Sequence, residues 1–124
     1  MLRFTPKQRT GNKAEALAEQ IMCQAGLSCL ARNYRCKQGE LDLVMRDGDT
    51  VVFVEVRYRR HNRWGGAAES VNQPKQQRVI LAAQHFLLHH PTLANRPCRF
   101  DVIAAEGNPA DPADYQWIRE AFTC

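Results

Sequence analysis

The sequence has no run approaching the roughly 18 apolar residues of a membrane-spanning helix, so no transmembrane helix and no membrane partner are expected. Its N-terminus, Met1 to Lys13, is polar and basic and leads into no apolar block of the signal-peptide kind, so a cytoplasmic location is expected. CxxC pairs are absent, and the cysteines (Cys23, Cys29, Cys36, Cys98 and Cys124) are odd in number. Structural zinc usually shows close pairs and a disulfide framework an even set, so reduced, mostly buried thiols are expected instead. A phosphate-cradling P-loop, a dinucleotide fingerprint and a serine-nucleophile elbow are missing too, which sets aside the enzyme classes built on them. Internal repeats and low-complexity segments are not seen. Acid is scarce in one stretch: from Arg57 to Arg78 there are six Lys or Arg residues and a single acid, Glu69.

What is present fits one domain over residues 1–124, with residues 1–10 read as a flexible basic arm. The net charge of +4 is unevenly spread. The stretch from Arg57 is basic and the far end, with Glu106, Asp111, Asp114 and Glu120, is acidic, as a phosphate-facing surface on one part of the chain would require. Ala14, Leu17, Ala18, Ile21 and Ala25 recur at helical spacing and predict a helix from about Asn12 to Gly26, with Asn12 and Glu15 at capping-box spacing. Strands are predicted at Cys29 to Arg35 (with Leu30 and Tyr34 inward), Glu40 to Arg46 and Thr50 to Tyr58. The last two flank an Asp47-Gly48-Asp49 turn, and Val51 to Val54 is apolar enough to be buried on both faces. A polar loop, His61 to Asn72, precedes a helix from Pro74 to about His89 whose buried side is Val79, Ala82, Ala83, Phe86 and Leu87. Pro91 ends it. Strands at Arg99 to Ala105 and near Gln116 to Ile118 complete a mixed α/β order, α-β-β-β-α-β-β.

The acidic hairpin carries the most chemistry. Strand side chains alternate faces, so Glu40 shares a face with Asp42, and Glu55 shares one with Phe53 and Arg57. A two-residue loop at Asp47-Gly48 sets Glu40 opposite Glu55, whereas a four-residue loop over residues 47–50 sets Asp42 opposite Glu55. Either even loop gathers the three carboxylates on one face; an odd loop separates them. Opposed Cβ atoms at this spacing lie about 5 Å apart, so the acids need a proton, an arginine or a divalent cation between them. Mg²⁺ suits such a site because it takes one or two carboxylates together with waters and phosphate oxygens. The plainer alternative pairs Glu55 with Arg57 or Arg59 at the sheet surface. Against it stands the placing of Glu55 inside Val-Val-Phe-Val-Glu-Val, where a charge needs a reason.

After this strand, Arg57, Tyr58, Arg59, Arg60, His61, Arg63 and Trp64 interleave cations with aromatics, a pattern able to contact phosphates and stack on bases. Lys75 and Arg78 in the next helix would add phosphate contacts or keep its outer face solvated. His85 and His89 stand four apart, but no glutamate follows His85 and solvent-facing histidines near a helix end are expected. Asp101 reads as structural, pairing with Arg99 or a neighbouring strand.

Gly39-Glu40-Leu41-Asp42-Leu43 followed by Phe53-Val54-Glu55-Val56-Arg57 resembles the core of the PD-(D/E)xK nuclease superfamily, and more closely the YraN family of uncharacterised endonuclease-like bacterial proteins. The resemblance spans nearly the whole chain, taking in Gly11, Glu15, Arg32 to Arg35, Arg99 to Val102 and Ile118 to Phe122. It implies a restriction-endonuclease-like mixed sheet flanked by helices and related to Holliday-junction resolvases. The activity it implies is a Mg²⁺- or Mn²⁺-dependent endonuclease acting on nucleic acid, DNA above all. Resolvase-like relatives often act as dimers, so a homodimer is one implied assembly. By position, Asp42 and Glu55 become metal ligands with the carbonyl of Val56 beside them, and Glu15 corresponds to a first-helix acid. Arg57 stands where the superfamily has its catalytic lysine. Arginine keeps the charge but does not accept a proton, so the resemblance implies either a cation working by charge alone or a nucleic-acid-binding module that does not cut.

Overall fold

The computed structural model describes residues 6–60 and 66–123, with side chains from residue 12 onward. The order is α1 (Pro6–Gln24), β1 (Ser28–Cys36), β2 (Gly39–Asp47), β3 (Thr50–Arg59), α2 (Gln73–Leu88), β4 (Cys98–Glu106) and β5 (Tyr115–Phe122), the mixed α/β succession expected from the sequence. A short 3-10 turn, Ala68–Ser70, precedes α2, and a second, Pro112–Asp114, precedes β5.

Two boundaries differ from the sequence reading. Helix α1 starts at Pro6, not near Asn12, so residues 6–10, read as arm, are helical. Proline suits a first turn, Lys7, Gln8 and Arg9 are good helix formers, and Gly11 costs only about 1 kcal/mol, too little to stop a helix propagating through it. Strand β5 is longer than the three residues read for it, because it pairs with β4 from Tyr115 to Phe122. Helix α1 ends in a Schellman arrangement: Gly26, at φ +100°, donates to the carbonyl of Cys23 at 3.0 Å, and Leu27 donates to that of Met22 at 3.1 Å. Leu27 is buried beneath that end.

The five strands of the described residues lie in chain order, all neighbours antiparallel except β3 and β4. That parallel pair needs a crossover, and α2 is the crossover helix. Helix α1 covers one face of the sheet, setting Ala14, Ala18 and Met22 against Leu43, Met45, Val52, Val54 and Ile103. Helix α2 covers the other, setting Val79, Ala82, Ala83 and Phe86 against Val44, Val51, Phe53 and Phe100. Val51 to Val54 is therefore buried on both faces, and β3 is the middle strand of the sheet.

At the periphery three expectations fail. Leu30 is exposed while Tyr34 packs inward, because a register shift between Cys29 and Ala31 in the pairing with β2 turns Leu30 away from the core. Ala25, read into the apolar stripe of α1, is exposed at its C-terminal end, and Met22 fills the core place instead. Of the four cysteines described none is buried: Cys23 and Cys98 are exposed, and Cys29 and Cys36 are partly covered.

Candidate metal and phosphate site

The β2–β3 ladder runs from Asp47↔Thr50 to Leu43↔Val54. Its register is the one that sets Asp42 opposite Glu55, although the loop is the two-residue Gly48-Asp49. Gly48 takes the first central position at φ +59°, the placing a type II′ hairpin asks of glycine. One step beyond Leu43 the ladder ends, and Asp42 Oδ2 accepts the backbone N–H of Val56 at 2.8 Å. Glu55 continues the Phe53 side of its strand, so its carboxylate turns toward the α2 face, while Asp42 stands where β2 passes from Leu43 on the α1 side to Leu41 on the α2 side.

Both are buried, Glu55 to 1 % exposure, and Glu55 Oε2 is an enclosed oxygen with no hydrogen-bond partner among the described residues. Burial, reinforced by the charge of Asp42, pushes Glu55 up to about 8, against the pull of Lys75 and Arg57. Burial raises Asp42 as well, opposed by the Val56 N–H. Glu15, reaching in from α1, is pushed up to about 7 by burial and by the charges of Asp42 and Glu40. It also faces a groove of about 560 Å³ between α1 and β1, walled by Glu19, Arg32 and Arg35. Glu40 itself pairs with Arg35 at 3.1 Å at the rim. Asp42 thus acts on both Glu15 and Glu55, but among the described residues no three His, Cys, Asp or Glu side chains converge tightly enough to enclose a metal unaided.

The cations fall otherwise than the sequence suggests. Arg57 Nη1 stands 3.7 Å from Glu55 Oε1, while its Nε donates to Ser70 Oγ at 2.8 Å. Ser70 was not singled out from sequence, and nothing local marks it. Lys75, read as a phosphate contact or a solvated outer-face residue, is 20 % exposed and sets Nζ 3.3 Å from Glu55 Oε1. Its one legible signal is a cation in the first turn of a helix, where the dipole disfavours it. In place of the surface pairing weighed as the alternative, Glu55 makes a buried pairing with two partners, Arg57 and Lys75, and Arg59 is not among them. Arg59 and Arg60 are exposed; His61, Arg63 and Trp64 lie outside the described residues. Tyr58 donates its hydroxyl to the carbonyl of Gly107 and packs, half-buried, toward the α1 core.

Two other candidates resolve as structure. Asp101, with 0 % exposure, accepts from Arg99 Nε at 3.1 Å, Trp117 Nε1 at 2.9 Å and the Glu120 N–H at 3.1 Å, and so ties β5 to β4. His85 is not solvent-facing: it is half-buried with Nδ1 against the Tyr34 hydroxyl, because β1 lies close to that side of α2. His89 is exposed, its Nδ1 bonded to the His85 carbonyl at 2.9 Å. No helix among the described residues is long and apolar enough to cross a membrane.

The model of the uncharacterised protein family UPF0102 matches residues 14–105, a span holding every residue of this site. A UPF0102 protein of Pseudomonas syringae pv. syringae (strain B728a) is 58 % identical over 121 residues, covering 98 % of each chain. One of Stutzerimonas stutzeri (strain A1501) is 59 % identical over 119 residues, covering 96 % of this chain and 98 % of the other. One of Alcanivorax borkumensis (strain ATCC 700651 / DSM 11573 / NCIMB 13689 / SK2) is 50 % identical over 116 residues, covering 94 % and 93 %. The chain belongs to the uncharacterised protein family UPF0102, the YraN family whose motifs it carries.

Proposed function

We propose that this protein is a Mg²⁺- or Mn²⁺-dependent nuclease that hydrolyses phosphodiester bonds in nucleic acid, DNA above all, on a restriction-endonuclease-like scaffold. One observation carries the reading: a buried carboxylate, Glu55, with an unpartnered oxygen, set beside a second buried carboxylate at the open end of a hairpin. Burying one such charge is costly, and burying two side by side more so, unless a cation joins them. Mg²⁺ fits the donors present, since two carboxylates suffice when waters and phosphate oxygens complete its shell.

Asp42 and Glu55 would hold the ion, with Glu15 acting through water. A bound Mg²⁺ supplies a polarised phosphoryl oxygen and an acidified water. The chain supplies the rest. The Val56 N–H fixes the Asp42 carboxylate, β3 holds Glu55 inside the sheet, and Arg57 and Lys75 place positive charge at the same carboxylate. Arg59 and Arg60 extend that charge outward along the strand end, where a phosphate backbone would run.

A second reading, a binding module that keeps the site without cutting, is favoured by the charge count. Two cations already face the two acids, and one of them is an arginine that does not serve as a proton acceptor. Single-turnover cleavage of branched and flap DNA with Mn²⁺ separates the two. The nuclease reading expects cleavage by the wild type and a loss of about a hundredfold or more in Glu55→Gln. Cleavage that persists in Glu55→Gln overturns it; DNA binding with no cleavage by the wild type selects the binding module.

A further inference from the structure

The two cations at Glu55 are not equivalent, and their difference indicates which one meets the substrate. Arg57 is braced: its Nε is bonded to Ser70 Oγ at 2.8 Å, and that hydroxyl donates in turn to the carbonyl of Ala67. Its approach to Glu55, 3.7 Å, is the looser of the two. That bond uses one of the five N–H groups of the guanidinium and fixes the direction of its plane. A planar guanidinium held at one edge is a fixed strut.

Lys75 is set up differently. Its backbone is pinned, because the N-cap Asn72 Oδ1 accepts its N–H at 3.1 Å and Pro74 precedes it. The position is electrostatically wrong for an ordinary helical lysine: a cation in the first turn opposes the helix dipole, and that turn holds no acid to offset it. It is also four-fifths buried, where a lysine kept only for a solvated helix face gains nothing. The benefit lies across the gap, at Glu55 Oε1, 3.3 Å from Nζ, and in the field Lys75 exerts on Asp42. An ammonium has three donors, and Glu55 takes one of them. The head sits on a flexible four-carbon stem with a fixed root, beside the acids where a phosphate would be held.

We propose that Lys75, delivered by α2, is the catalytic cation of this site. Its ammonium passes from Glu55 Oε1 to a non-bridging oxygen of the scissile phosphate, while Arg57 is a positioning residue that braces β3 against the 3-10 turn. The proposal rests on the nuclease reading above and assigns the phosphate-facing role within it.

Two measurements test it. The first follows the ¹³Cε resonance of Lys75 in the wild-type protein with Ca²⁺ as a metal that permits binding, as a short DNA duplex is added. A shift that saturates with the duplex is expected; a Lys75 signal indifferent to saturating duplex overturns the contact. The second compares single-turnover rates and duplex affinities for Lys75→Ala, Lys75→Arg and Arg57→Ala, each confirmed folded by its melting curve. Lys75→Ala should lose a hundredfold or more in rate with less than threefold change in affinity, Lys75→Arg should recover at least tenfold of that loss, and Arg57→Ala should fall less than tenfold. A hundredfold loss confined to Arg57→Ala overturns the assignment while leaving the nuclease reading intact. Absence of cleavage by the wild type defeats the nuclease reading, and the resonance then decides whether Lys75 meets phosphate in a binding module.

Discussion

The carboxylate of Asp42 takes the backbone N–H of Val56 at 2.8 Å, so a side chain closes the hairpin where the next main-chain rung would have stood. The exchange frees β2 and β3 to part at the place where Glu55 is buried, and it costs no unsatisfied amide.

Asp42→Asn separates this structural bond from the charge, because the amide oxygen still accepts from Val56 while the negative charge is gone. In the wild type, Mg²⁺ or Mn²⁺ should perturb the NMR signals of residues 40–43 and 54–57. In Asp42→Asn those perturbations should vanish with melting temperature lowered by no more than a few degrees. Weak, uniform shifts over all acidic residues in the wild type would show screening in place of a site.

The raised carboxyls make stability fall with rising pH. Glu15 and Glu55, held up to about 7 and about 8, stay protonated in the native chain where the unfolded chain, titrating near 4.5, has already lost its protons. Between those values the native state binds more protons, so stability that is whole below about 4.5 is lost as pH rises through about 7 and about 8. Without divalent metal, the melting temperature should drop by about 5 °C or more from the bottom to the top of this window. Mg²⁺ should offset the drop, and Glu55→Gln should flatten it. A wild-type profile no steeper than that of Glu55→Gln would refute the assignment.

Asp101 should behave as a structural residue. Replacing it with Ala leaves Arg99 and Trp117 Nε1 short of an acceptor in a buried setting, a loss on the order of 3 kcal/mol. That corresponds to about 10 °C in melting temperature for a domain of this size. The measurement is a thermal melt at neutral pH; a change under about 2 °C would mean that β5 docks without it.

Arg59 and Arg60 should act on affinity and salt dependence, not on the chemical step. Changing both to Ala should reduce the log–log slope of DNA affinity against salt by about one to two units. An unchanged slope, measured by fluorescence anisotropy over a salt series, would move the binding surface elsewhere.

The fold was largely legible because β3 is apolar on both faces, and the α1 and α2 stripes each select one face of the sheet. The acid pair was legible for a related reason: a glutamate inside a buried strand contradicts its surroundings. Ser70 was not read as part of the site, and Lys75 was read as a nucleic-acid contact and not as a partner of Glu55. Their role depends on how the crossover helix docks, and no local periodicity encodes the distance between α2 and the end of β3. The start of α1 was missed because capping-box spacing at Asn12 is only a local preference, which a longer run of helix formers overrides.

The single parallel pairing also orders events in time. Strands β1, β2 and β3 follow one another as an antiparallel meander, so their contacts close short loops, whereas β3 and β4 meet only after the whole α2 crossover has been threaded between them. Loop-closure entropy favours the local contacts first. Asp42 and Glu55 both belong to the early meander, and Lys75 arrives with the late crossover. The two adjoining acids thus share their meander with one cation, Arg57, and their second, Lys75, comes only with the crossover.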